Sequence, residues 1–270
     1  MRRAGENSPV TGPVGDAVAF QDVGGHLTVD GRSMRIGSIY RISGSLVDDD
    51  ELDTVARLGL RTLVDLRAAD EDRQALIDFS AEHAITYFHL PMQVARLDEL
   101  AAVTVSYADA RALVASIYLQ IVRDHGPTLA SAIGALNSPL PAAFGCAAGK
   151  DRTGVLSALL QRVLGVDEQT VIAEYIRCAP NPTRVRERLL GLLPAGVEPG
   201  PGLDALVAAA PDALLAALHE AEAAHGSIEG YLRAMGLAAD TIDGLRVSLL
   251  EDVQSERGLH RAANRACDVG

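Results

Sequence analysis

The sequence has no tryptophan, and aromatic residues make up only 4% of it. A core must therefore be built mainly from Ala, Leu, Val and Ile. The 48% hydrophobic fraction supplies one and excludes wholesale disorder. Positive charge is also short, with a formal net charge of -12. Binding along a nucleic-acid backbone needs a basic face, so no nucleic-acid partner is expected. A small phosphorylated ligand stays open, because a local positive pocket can sit in an acidic protein. No apolar run is long enough to span a bilayer, so no stable membrane insertion is expected. The opening M-R-R-A-G-E-N-S-P-V lacks the apolar run of a secretory signal, and R-A-C-D-V-G at the other end is no prenylation box. Cys146, Cys178 and Cys267 are too few and too scattered for a disulfide framework. The default reading is a soluble protein in a reducing, cytoplasmic setting, with export by a route lacking such a signal left open.

Lysine is nearly missing. Among 24 basic residues only Lys150 is one. A GC-rich genome explains most of that bias. Yet the one compact ammonium falls in A-A-F-G-C-A-A-G-K-D-R-T-G, residues 142–154, and Lys and Arg are not interchangeable at a tight anion site.

Residues 1–18 are rich in Gly, Pro and polar types and read as a flexible N-terminus, and 257–270 as a loose tail. Between them, 19–256 reads as one domain. Short β-like text at 38–42, a helix at 48–58 stopped by Gly59, and strands at 61–66 and 86–90 precede helices at 97–124 and 129–136. A short strand at 140–144 leads into the loop, and an apolar helix follows at 153–164. From 167 to 256 nearly everything reads as helix. Strands alternating with helices predict an α/β fold, with a central, mainly parallel sheet flanked by helices and a helical C-terminal half. Ligands of such sheets sit beyond the carboxyl ends of the strands, which is where this loop falls.

The loop suits a phosphomonoester. Such a substrate needs donors around three oxygens, an in-line nucleophile and a proton for the leaving oxygen. Ala147, Ala148 and Gly149 are small enough to let the chain curl with its amides inward, aided by a helix N-terminus. Cys146 in that positive concavity is favoured as a thiolate nucleophile. Arg152 can fork onto two phosphate oxygens, and Thr153 can hydrogen-bond the sulfur. Two other segments compete. Cys178 has Arg184 at the same offset, but Pro180 and Pro182 each remove an amide, so that segment reads as a helix end. A nucleotide P-loop fails because G-C-A-A-G-K-D has one residue too few between its glycines and Asp where Ser or Thr would meet magnesium.

C-A-A-G-K-D-R-T-G resembles the signature loop of cysteine-dependent protein tyrosine phosphatases. Specifically, it resembles the atypical bacterial and fungal family of tyrosine and phosphoinositide phosphatases whose loop reads H-C-x-x-G-K-D-R-T-G. F-Q-D-V-G-G at 20–25, I-Y-R-I-S-G-S-L at 39–46, L-G-L-R-T-L-V-D-L-R at 58–67 and S-I-E-G-Y-L at 227–232 resemble further segments of that family. The resemblance implies a protein tyrosine phosphatase fold and hydrolysis of phosphotyrosine, phosphoserine/threonine or phosphoinositides through a cysteinyl-phosphate, without cofactor or metal. No H-E-x-x-H pair or other metal pattern occurs among the scattered histidines. The implied substrate is a phosphorylated protein or a phosphoinositide. Asp151 or Asp65 would be the general acid, Asp65 having a structural role as its alternative. Lys150 would join Ala147–Arg152 in phosphate binding and touch a second anionic group. Arg41 would brace the loop or guide substrate, and Asp70 or Glu71 would hold Arg67. The segment 95–125 would form a helical lid. One departure stands out. The family has histidine before the cysteine, where this chain has Gly145. Losing it implies a looser loop, a catalytically impaired phosphate-binding protein as the alternative function, and regained activity on Gly145→His.

Overall fold

The computed structural model describes residues 20–43, 49–94, 105–191, 193 and 196–253. The segments read as a loose N-terminus and tail lie outside them. A five-stranded sheet runs in the order β1-β3-β6-β4-β5, from β1 (Phe20–Asp22), β3 (Ile39–Ser43), β4 (Thr62–Asp65), β5 (Thr86–His89) and β6 (Ala142–Cys146). Only β1 is antiparallel to its neighbour; β3, β6, β4 and β5 run parallel. The inner strands β4 and β6 are buried along their whole length, as a sheet covered on both sides requires. Alternate residues face opposite ways. Val64 and Phe144 enter one cluster with Ala142 and Ile39, whereas Leu63, Ala143 and Ile42 enter another.

The second, smaller cluster lies under α1 (Asp49–Ala56) and α2 (Gln74–Glu82), through Val55, Leu76 and Phe79. The larger cluster takes up α3 (Tyr107–Asp124), α4 (Gly126–Ala135) and α5 (Asp151–Val163). It continues into α6 (Glu168–Arg177), α8 (Gly202–Val207), α9 (Pro211–His225), α10 (Ile228–Ala234) and α11 (Ala239–Leu249). Between α6 and α8 lies α7 (Pro182–Gly191), whose only buried residue is Val185. Side chains cap helix starts: Ser106 accepts from the Asp109 amide, Asp167 from Thr170, Asn181 from Thr183 and Ser227 from Gly230. Gly59, read as a helix stop, sits at φ 62.

Two expectations change. Of the segment read as a helical lid, 95–125, residues 95–104 lie outside the described residues, and α3 buries Ala110, Val114, Tyr118, Ile121 and Val122. The strand expected at 140–144 instead runs to Cys146. Finally, the long helical reading ends early. β7 (Leu250–Asp252) leaves α11 and pairs antiparallel with β2 (Arg32–Met34). Three residues of Leu-Glu-Asp carry no periodicity, and their partner lies far away in sequence. Among the described residues no helix is long and apolar enough to cross a membrane.

Phe144 sits at the sheet's centre with no exposed surface. Phe144→Ala is expected to lower stability by about 3–5 kcal/mol through lost burial and a residual cavity. Urea denaturation would read this as a drop in midpoint at an unchanged slope; a change below about 1 kcal/mol would contradict the packing described.

Candidate active site

β6 is the middle strand, and Cys146 is its last residue. The chain then turns through 147–150 and enters α5 at Asp151. Gly149 adopts φ 67, a conformation that disfavours side chains, and its carbonyl accepts from Arg41 Nη2 at 2.9 Å. The Ala147 carbonyl accepts from Ser43 Oγ at 3.0 Å. A trans peptide points its N–H opposite to its C=O. Holding these two carbonyls outward, against β3, therefore turns the amides of Ala148 and Lys150 toward the loop's interior. Ala147 is buried and Ala148 half-buried. The loop is thus built as an amide-lined bowl at the carboxyl edge of a parallel sheet.

Cys146 is 2% exposed, and its Sγ accepts from Thr153 Oγ1 at 3.1 Å. Arg152 lies in the first turn of α5. Its Nη1 donates to Glu71 Oε2 at 2.6 Å and to the carbonyls of Leu66 and Met92, both at 3.2 Å. Its Nη2 donates to Glu71 Oε1 at 3.2 Å. Glu71 thus takes the end of the guanidinium, and the edge formed by Nε and the second Nη2 hydrogen, whose geometry suits a fork onto an anion, makes no hydrogen bond among the described residues. Burial works against the Arg152 charge, but Cys146 and the Glu71 carboxylate push its pKa up. Burial likewise works against charge on Glu71, yet Arg152 holds its pKa below the usual carboxylate range. Arg188 of α7 reaches the same carboxylate at 3.5 Å.

Several expected partnerships are rearranged. Of Asp70 and Glu71, the two carboxylates expected at Arg67, Glu71 instead holds Arg152. Arg67 turns back onto Asp65, whose carboxylate accepts from the Arg67 amide at 2.9 Å, from its guanidinium at 2.8–3.1 Å and from Tyr87 Oη at 2.7 Å. Asp65 is 1% exposed, and although burial opposes its charge, these donors hold its pKa below the usual range. A carboxylate so saturated with donors fits the structural role and not that of a proton donor. Lys150 also departs from expectation. It is 3% exposed, and Nζ donates to the carbonyls of Leu206 and Ala208 at the end of α8, with Asp151 Oδ1 at 3.5 Å. It serves a helix C-terminus, where carbonyls lack partners.

Asp151 remains partly open, with 31% side-chain exposure. Behind it the Tyr118 and Tyr175 hydroxyls meet at 2.6 Å, and Tyr175 also accepts from the Ala210 amide at 3.0 Å. A Cβ on Gly154 would come 2.8 Å from the Tyr175 ring, which accounts for the last glycine of the motif. Cys178 caps α6 as a helix end, and burial, reinforced by Glu174, pushes its thiol up to about 12. Other motif segments are scaffold. Asp22 accepts from the amides of Gly24 and Gly37, and Tyr231 donates to the Val122 carbonyl.

Gly145 is not a simple loss. A Cβ there would lie 2.4 Å from the Ile42 carbonyl oxygen and 2.7 Å from Ile42 Cγ1. β3 and β6 approach too closely for any side chain, so histidine cannot be restored without parting the strands.

A sequence model of the tyrosine phosphatase family matches residues 13–251. The chain belongs to this family. It is similar to a tyrosine-protein phosphatase of Nostoc commune, at 28% identity over 76% of this chain and 71% of the relative. It is also similar to the triple specificity protein phosphatase PtpB of Mycobacterium tuberculosis, at 26% identity over 86% of this chain and 96% of PtpB. Among solved structures, the core catalytic domain of the PP-IP phosphatase SIW14 from S. cerevisiae overlaps 64% of this chain and 86% of its own, at 17% identity and a TM-score of 0.37. This tyrosine phosphatase family member is thus a cysteine-dependent enzyme.

Sequence reasoning missed Ser43, Tyr87, Tyr118, Tyr175 and the Glu71–Arg152 pair. One signal was available: Glu174 stands three residues after Val171, on the apolar stripe of α6, where a lone carboxylate needs a buried partner.

Two outcomes follow. Gly145→His is expected to lower the thermal midpoint without raising phosphatase activity; a gain in activity at unchanged stability would contradict the strand spacing. Asp65 has a depressed folded-state pKa, so its contribution is complete above the ordinary carboxylate range and is lost as pH falls through the folded value. Asp65→Asn should cost about 3–5 kcal/mol at pH 7, because it removes the buried carboxylate that accepts from the Arg67 guanidinium and from Tyr87. It should also flatten the loss of stability below pH 4, as read by urea titrations across pH.

Proposed function

We propose that this enzyme hydrolyses phosphotyrosine monoesters through a phosphocysteine. The Cys146 sulfur attacks phosphorus, forming the S–P bond as the P–O bond to the tyrosine breaks. Asp151 acts as general acid and gives a proton to the leaving oxygen. A water then attacks phosphorus, Asp151 takes a proton from it, and the S–P bond breaks to release inorganic phosphate and the thiolate. The amides of the loop and the free edge of Arg152 meet the charge on the three equatorial oxygens. Thr153 stabilises the sulfur as it departs. With amides and a guanidinium in these roles, the reaction proposed uses no metal or cofactor.

The observation that carries this reading is the pinned loop with Thr153 on Cys146 Sγ and Arg152 held end-on by Glu71. It also weighs against the impaired phosphate-binding alternative, because Gly145 fits the strand spacing instead of leaving a gap. Asp151 is the preferred acid because Asp65 is saturated with donors. The relative named for triple specificity supports assaying more than one ester, so phosphoserine, phosphothreonine and phosphoinositides are the comparison substrates. The net charge of -12 supports a reading without nucleic acid, and a reducing, cytoplasmic setting suits a reactive thiol.

An aryl phosphate assay with EDTA present tests the proposal. Turnover should vanish in Cys146→Ser and fall about 10²–10³-fold in Arg152→Ala. Asp151→Asn should cost about 10²–10⁴-fold on phosphotyrosine and much less on an ester with a good leaving group. Labelled phosphate trapped on Cys146 would identify the intermediate. Undiminished turnover in Cys146→Ser would overturn the reading.

A further inference from the structure

Behind the bowl lies a buried ion pair that no step of the reaction uses. Arg41 of β3 is 3% exposed, and Glu174 of α6 is 2% exposed. Arg41 Nη1 stands 3.5 Å from Glu174 Oε1, and Gln161 Nε2 donates to Glu174 Oε2 at 3.2 Å. Neither Arg41 Nη1 nor Glu174 Oε1 has a hydrogen-bond partner among the described residues. For stability this is a poor arrangement. Two charges are taken out of water for a long contact, and apolar residues of similar size would serve a core at least as well. The other end of the same guanidinium gives the pair a use. Arg41 Nη2 donates to the Gly149 carbonyl, the peptide whose N–H belongs to Lys150. Gly149 is the loop residue at positive φ and the one whose peptide lacks a side chain to steady it. Were that peptide to rotate, a carbonyl oxygen would replace an amide on the bowl's wall and repel a phosphate.

We propose that Glu174 is a positioning residue for phosphate-ester hydrolysis: by fixing Arg41, it holds the Gly149 carbonyl out of the bowl and the Lys150 amide in it. The assignment rests on the phosphatase reading above. It places a determinant of the loop in α6, well outside the signature motif, and it explains a buried charge pair in an otherwise apolar helix face. Glu174 touches no substrate, and its effect passes entirely through the orientation of one peptide.

The test compares the parental protein with Glu174→Gln and with the apolar double variant Arg41→Met/Glu174→Leu, which removes the pair without stranding either charge. Calorimetry with vanadate reads the bowl directly, aryl phosphate kinetics read the reaction, and thermal melting reads the fold. The expected result is a double variant that melts within a few degrees of the parent, binds vanadate at least about tenfold more weakly, and loses about 10²-fold in kcat. Glu174→Asp should recover part of both functional losses. A folded double variant with parental vanadate affinity and kcat would overturn the assignment. So would failure of both the Gln and the double variants to fold, which would make the pair purely structural. A parental protein that neither turns over nor binds vanadate would instead bring down the phosphatase reading, and this assignment with it.

Discussion

A cradle made of backbone amides keeps its shape only while the carbonyls on the reverse side of the same peptides are held. Here two such carbonyls are tied to one strand, Ala147 to Ser43 and Gly149 to Arg41. Both ties reach β3, the neighbour of β6, so the sheet's own register fixes the loop. In the proposed reaction the bowl is in place before substrate arrives, and no reorganisation is needed as charge develops. The close approach of β3 at Gly145 belongs to the same constraint: strands near enough to pin the loop leave no space for a side chain between them.

Around this frame the charges sort by function. Glu71 anchors Arg152 at one end and leaves the other for an anion. Asp65 and Arg67 neutralise one another one strand away, with Tyr87 completing the carboxylate's shell. Lys150 is spent on the carbonyls that end α8. In the proposed reaction Arg152 is thus the cation of the motif that is held at one end and meets the phosphate with the other. An acidic protein can bind a phosphate dianion because local geometry, not net charge, sets the potential at the site.

Much of this was legible in the sequence, for identifiable reasons. The parallel strands are short apolar runs bounded by turn residues, and the loop's glycine, cysteine and arginine carry their chemistry in fixed spacing. Cys178 could be dismissed because proline has no amide to offer. What stayed hidden was pairing at a distance. Glu71 and Arg152 are 81 residues apart, and Arg41 and Gly149 are 108 apart. With so many arginines, no local pattern says which carboxylate meets which guanidinium, and proximity in sequence suggested Arg67 for Glu71. Lys150 misled for a different reason. Residue type says what a side chain offers, but the backbone at 150 decides which way it points. The exchange of helix for strand at β7 was equally invisible, because a three-residue strand has no period of its own and exists only through β2.

The seat of Lys150 has a practical side. The 270 residues contain a single ε-amino group, and it is packed against the end of a helix. Acylating dyes and crosslinkers aimed at lysine side chains will therefore find nothing to react with while the fold is intact. A mass increment on that residue would be a timestamp of the moment when loop and helix had come apart.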